Sequence, residues 1–142
     1  MANVICIVSQ KGGTGKTTTA VNLAGALALF EKKTLLVDCD PLGNATTGLG
    51  IDKRVLAADL SDVLTGKAAP ESATVATDLA DLRLLPARFA LMEVEKALSL
   101  SADRWVRLRK KVGAISGAYE YILVDAPPSL NFLAVSAMVC AD

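Results

Sequence analysis

The chain has 142 residues, about half of them apolar, with 15 basic and 15 acidic side chains that cancel and no histidine. Its length fits one domain over residues 1–142, and the balanced charge gives no global argument for nucleic acid or membrane. The lack of histidine excludes histidine triads, histidine general bases and ordinary histidine zinc sites. Cys6, Cys39 and Cys140 show no C-x-x-C spacing, which suits a reduced, cytoplasmic protein better than a disulfide framework. No apolar run approaches a membrane span, and the N-terminus has no basic region or cleavage site of a signal peptide.

Asn3 to Ser9 is a β-branched run ending at a glycine-rich segment, and it predicts a buried strand. From Lys16 the period changes to that of a helix, with Ala20, Leu23, Ala24, Leu27 and Phe30 recurring on one side. Lys33 to Asp38 predicts a second strand, which completes a parallel strand–helix–strand unit. Pro41 to Ile51 is turn-rich and reads as a loop or a short helix, and Ala58 to Thr65 reads as helical. Leu82 to Leu85 is a brief strand ended by Pro86. Ser101 has the chemistry of an N-cap for a helix running to about Ile115. Tyr121 to Asp125 is a strand broken by Pro127 and Pro128, and Leu130 to Ala141 is an apolar helix. The alternation predicts an α/β fold of the P-loop NTPase kind, mostly parallel, with helices on both faces of the sheet. After the last helix another strand is due, so the sheet reads as truncated before its last strands.

Lys11-Gly12-Gly13-Thr14-Gly15-Lys16-Thr17-Thr18 lies between the first strand and the first helix. Glycines let backbone N–H groups close on phosphate oxygens, and the helix adds its unpaired N–H groups and positive dipole end. Lys16 supplies a point charge to the β- and γ-phosphates, and the Thr17 hydroxyl completes a Mg²⁺ shell. The cofactors expected are ATP and Mg²⁺. Asp125 closes the apolar strand YILVD, the pattern in which an acid faces that metal. Asp38 and Asp40 follow the second strand, at the sheet edge where open α/β folds bind ligands. The blander alternative is that both carboxylates only cap the turn before Pro41.

An ordinary P-loop begins with glycine at the position of Gln10, and Lys11 follows it here. In this the chain resembles the deviant Walker A ATPases of the ParA/Soj and MinD group, whose motif reads KGGxGKT. The resemblance implies that Lys11 reaches across an ATP-sandwich dimer to the partner's phosphates, a charge in trans like an arginine finger. DCDPLGNATTGLG resembles the group's DxDPQGN segment. By that resemblance Asp40 positions the attacking water and Asp38 holds a Mg²⁺-bound water, so the catalytic set is Lys11, Lys16 and Asp40. Leu42 stands where ParA-like members carry glutamine. DAPPSL resembles ParA/Soj more than MinD. The activity implied is an ATP-dependent dimerisation switch in DNA partitioning or cargo positioning, with nonspecific DNA and a ParB-type activator as partners. The alternatives are a shortened nucleotide-binding module without efficient hydrolysis, and a MinD-like membrane-associated ATPase.

Two further groups have bland and functional readings. Arg104, Arg107 and Lys111 share one side of the helix expected from Ser101, opposite Trp105, Leu108, Val112 and Ile115. Such a basic side is usually solvated, and contact with nucleic-acid phosphates is the alternative. Phe89, Leu91, Met92, Val94 and Leu98 read as core or interface residues, and Cys6 and Cys140 as small apolar ones.

Overall fold

The computed structural model describes residues 2–9 and 15–142. Its strands are β1 (Asn3–Ile7), β2 (Thr34–Asp38), β3 (Val75–Ala76), β4 (Leu82–Leu85) and β5 (Tyr121–Asp125), joined in one sheet of order β1-β5-β2-β4-β3. The β1–β5, β5–β2 and β2–β4 pairs are parallel, and β3 runs antiparallel on β4. The first strand–helix–strand unit therefore forms, but β5 is inserted between its two strands, and β1, expected to be buried, is half-buried to exposed because it lies at the edge of the sheet. The helices are α1 (Lys16–Leu29), α2 (Asn44–Gly48), α3 (Leu60–Leu64), α4 (Pro70–Ala73), α5 (Val94–Ala97), α6 (Arg107–Ile115) and α7 (Phe132–Cys140).

Strand periodicity explains the layering, because alternate side chains leave opposite faces. Leu36 and Leu123 pack under Ala20, Ala24 and Ala28 of α1 and Ala45 of α2. Leu35, Val37, Ile122 and Val124 face the other way, into a larger core with Leu60 and Leu64 of α3, Leu108 and Val112 of α6, and Phe132 and Ala137 of α7. Helices on both faces explain why β2 is buried along its whole length and reads as a continuous apolar run.

Several expected details differ. Phe30 is 78% exposed and lies beyond α1, while the alanine stripe makes the packing face. Close approach of a helix to a sheet has room for alanine where it has none for a phenyl ring. The helix expected from Ser101 begins at Arg107 instead, after a turn over residues 102–106. The Asp103 carboxylate is taken by Arg107 at 2.9 Å and Lys110 at 3.5 Å, and Trp105, outside the helix, packs on the Phe132 ring at 5.2 Å between centroids. Arg107 is not on a solvated side: it donates to the Leu64 carbonyl at 3.1 Å and ties α6 to α3. Leu91, Val94 and Leu98 are buried as expected, whereas Phe89 and Met92 are mostly exposed.

Candidate functional site

The register of the sheet builds the site. Ile7 stands opposite Asp125, and Asp125 stands opposite Asp38, so one row crosses the carboxyl ends of β1, β5 and β2. Asp125 and Asp38 lie two residues beyond Leu123 and Leu36, which puts both carboxylates on the face covered by α1. The same face receives the start of α1. Gly15 precedes that helix at φ 83°, a left-handed conformation that favours glycine, and its carbonyl accepts from the Thr19 N–H at 2.8 Å. The first turn of α1 contains no acidic side chain, so the positive end of its dipole is not neutralised from within.

Lys16 and Thr17, at the head of α1, both turn onto Asp125. The Lys16 ammonium pairs with Asp125 Oδ1 and lies 3.1 Å from the Thr17 hydroxyl, which donates to Asp125 Oδ2 at 2.9 Å. The pair is nearly dry, with 8% of the Lys16 side chain and none of Asp125 exposed. Burial raises the Asp125 pKa above the ordinary carboxylate value, against the hydrogen bond and charge of Lys16 and the hydrogen bond from Thr17. Thr18 is exposed in the same turn. Lys11, Gly12, Gly13 and Thr14 lie outside the described residues, and with them the expected phosphate cradle and the expected role of Lys11.

Asp38 is fully buried. Its Oδ1 accepts from the Asp40 N–H at 3.1 Å, and its Oδ2 accepts from the Thr46 N–H at 2.9 Å and the Thr46 hydroxyl at 2.7 Å. Burial pushes its pKa up to about 6, outweighing the hydrogen bonds from Thr46 and Asp40, and the charge of Asp125 adds to the rise. Asp40 is also buried and accepts from the Leu42 N–H at 3.0 Å. Both carboxylates thus hold local turns, as the blander reading expects, while standing on the same rim as Lys16. Leu42 is 57% exposed, and the Lys53 ammonium donates to its carbonyl at 2.8 Å. Burial pushes the thiols of Cys6 and Cys140 up to about 11 and about 12 and raises that of Cys39 well above its usual value, which leaves all three protonated packing groups.

The donor set discriminates among metals. Among the described residues no cluster of three or more histidine, cysteine, aspartate or glutamate side chains is placed to hold an ion. What the rim offers is a hydroxyl and a few carboxylate oxygens beside a lysine. This fits Mg²⁺, which keeps several waters and takes its remaining oxygens from one or two carboxylates and substrate phosphates, and it suits Zn²⁺ or Ca²⁺ poorly. Thr46 is the functional-looking residue that the sequence reading passed over. Its only sequence signal is a hydroxyl in the small-residue run after Asp40.

Comparison with known proteins agrees with this geometry. The model of the AAA domain family matches residues 2–142. The chromosome partitioning protein ParA of Caulobacter vibrioides (strain NA1000 / CB15N) is 49% identical over 141 residues, covering 98% of this chain and 53% of the relative. The sporulation initiation inhibitor protein Soj of Bacillus subtilis (strain 168) is 42% identical over 142 residues, covering 100% and 56%. The crystal structure of cobyrinic acid a,c-diamide synthase from Mycobacterium smegmatis with bound ATP analog and magnesium superposes with a TM-score of 0.95 at 35% identity, covering 99% of this chain and 56% of that one. The chain spans about half the length of these proteins. It belongs to the AAA domain family and is ParA/Soj-like, a deviant Walker A P-loop chain, along its whole length.

Proposed function

We propose that this chain is the ATP- and Mg²⁺-binding portion of a ParA/Soj-like ATPase, an ATP-dependent dimerisation switch used to partition DNA or position cargo. The observation that carries the reading is the convergence of Lys16 and Thr17, from the head of α1, on Asp125 at the end of the neighbouring strand. In this reading the Lys16 ammonium, now on Asp125, would serve the β- and γ-phosphates. Thr17 and Asp125 would hold the metal, and Asp38 would act on it through a water. Mg²⁺, when bound, neutralises charge on the triphosphate and orients its oxygens. Asp40 holds the attacking water in line. The relatives support the class: one solved neighbour holds an ATP analog and magnesium, and two relatives are a chromosome partitioning protein and a sporulation initiation inhibitor.

Lys11 supplies the switch. A lysine reaching the partner's triphosphate offsets the repulsion between two bound nucleotides at a partly desolvated interface. Nonspecific DNA and a ParB-type activator are the partners proposed, and the site of action is the cytoplasm and nucleoid. Among the described residues no helix is long and apolar enough to cross a membrane. Sedimentation velocity with a nonhydrolysable ATP analogue tests the switch. Wild type should dimerise with the analogue and Lys11→Ala should stay monomeric while still binding it. Equal dimerisation of both makes Lys11 a bystander. ATP turnover with and without DNA tests the activity, and turnover indifferent to DNA removes the partner from the account.

A further inference from the structure

The Thr46 side chain is fully buried against one of the site's carboxylates. Its hydroxyl donates to Asp38 Oδ2 at 2.7 Å and accepts from the Ala87 N–H at 3.1 Å. Its own N–H donates to the same Asp38 oxygen at 2.9 Å. One hydroxyl therefore joins three pieces of chain: the end of β2, α2, and the segment after β4. A second contact at the same junction is independent of Thr46. Gly43, at φ 65°, packs so closely that a Cβ there would lie 2.8 Å from the Ala87 carbonyl oxygen. Ala87 is thus held by Thr46 at its N–H and closely approached by Gly43 at its carbonyl. Beyond it the Arg88 N–H donates to Asp59 Oδ2 at 2.9 Å and the Arg88 guanidinium to Asp62 Oδ2 at 3.1 Å, so the segment is anchored to α3.

We infer that Thr46 is a positioning residue for the metal: its hydroxyl, braced by the Ala87 N–H, holds the Asp38 carboxylate in the orientation that lets it fix a Mg²⁺-bound water beside Asp125. This rests on the Mg²⁺–ATP reading above. A carboxylate with only backbone donors from its own turn keeps freedom about its terminal torsion, which is broad and roughly two-fold. A donor of fixed position on one oxygen removes that freedom. The hydroxyl is a suitable donor because it is itself oriented: accepting from Ala87 commits one lone pair and leaves its proton directed at Asp38. Hydrogen bonds of this kind around metal-binding groups typically change metal affinity by about 10–100-fold when removed. The same geometry carries the loop bearing Asp40 on the anchored segment after β4, because Asp40, Gly43 and Thr46 belong to one short stretch.

The test is equilibrium binding of ATP to the chain at pH 7.5, measured without Mg²⁺ and across a Mg²⁺ titration. Wild type is compared with Thr46→Val, which keeps shape and loses the hydroxyl, Thr46→Ala, which loses it without a branched group, and Thr46→Ser, which keeps it. The expected result is a roughly 10-fold or greater rise in the Mg²⁺ concentration at half effect for Val and Ala, wild-type behaviour for Ser, and unchanged Mg²⁺-free ATP affinity in all. Val and Ala matching wild type, or Ser failing with them, overturns the inference. So does an equal loss of Mg²⁺-free binding, the mark of a merely structural role. Wild type that binds no ATP, or binds it with no Mg²⁺ effect, sinks the nucleotide reading itself, a different outcome from the variants behaving alike.

Discussion

Two regions of the molecule handle charge in opposite ways. On the rim formed by the carboxyl ends of β1, β5 and β2, Asp38, Asp40, Asp125 and Lys16 are drawn out of water, and burial raises the pKa of Asp38 and Asp125. On the flank formed by α3 and α6, Asp62, Arg88, Asp103 and Arg107 are partly exposed and mutually paired, and the hydrogen bond from Arg107 holds Asp103 below the ordinary carboxylate range. The flank is built for its own fold: each of these charges has a partner, Arg88 ties the segment after β4 to Asp62 of α3, and Arg107 ties α6 to α3 through the Leu64 carbonyl. The rim concentrates three carboxylates against one described ammonium. That imbalance costs stability unless a further cation joins it, as a metal site requires. Charge in a sequence thus points to chemistry where the fold desolvates it, and to scaffolding where partners meet in solvent.

The comparison breaks most visibly at the rim. Asp40→Ala should lower ATP turnover by roughly 10²–10⁴-fold with ATP affinity nearly unchanged, read by steady-state hydrolysis beside calorimetry. Parallel loss of binding and turnover would contradict its role with water. Lys16→Ala should weaken ATP binding on the order of 100-fold or more. It also leaves Asp125 buried without its cation, a change that typically costs roughly 3 kcal/mol or more, so denaturant unfolding belongs beside the binding isotherm. Asp125→Ala should instead raise the Mg²⁺ requirement by about 10–100-fold. Undiminished ATP affinity in Lys16→Ala would remove the rim's chemistry from the account.

The flank should respond in stability alone. Arg107→Ala removes the bond to the Leu64 carbonyl and the pair with Asp103, at a cost of about 1–2 kcal/mol and without change in Mg²⁺–ATP affinity. Affinity falling in step with stability would mean the two regions are coupled.

Stability also depends on pH, and the two regions have opposite signs. Asp38 has a folded pKa of about 6 against an ordinary 3.8. It favours the folded state fully below the lower value, and that contribution, roughly 2–3 kcal/mol, is lost as pH rises through about 6. Asp103 is lowered, so its contribution is present above 3.8 and is lost as pH falls through its folded value. Unfolding of Asp38→Asn and Asp103→Asn across pH 3–8 should remove these two slopes separately. Slopes of the same sign would erase the distinction drawn here.

The fold was legible wherever a long period or an apolar run spoke for it. The boundaries of β4 (Leu82 and Leu85) and β5 (Tyr121 and Asp125) agree with the reading residue for residue, and α1, β2 and α7 lie within a few residues of it. β3 was not, because two residues, Val75 and Ala76, are too short for any period to appear and pair only through β4. The α6 start differs from the reading because Ser101 has the chemistry of a cap, while the helix begins at Arg107, whose side chain together with that of Lys110 takes the Asp103 carboxylate. The insertion of β5 between β1 and β2 is a tertiary choice that leaves no local mark. At the site, motif spacing named Lys16, Thr17, Asp38, Asp40 and Asp125, and the sheet register brings them to one rim. The contacts of Thr46 with Asp38 and Ala87 span 8 and 41 residues of sequence, and only folding reveals them.

Titration calorimetry of ATP into the wild-type chain at pH 7.5, with and without Mg²⁺, tests the central claim most directly. The account predicts saturable binding of one ATP per chain, tightened by at least about 10-fold when Mg²⁺ is present. Absence of saturable binding, or an affinity indifferent to Mg²⁺, would contradict it.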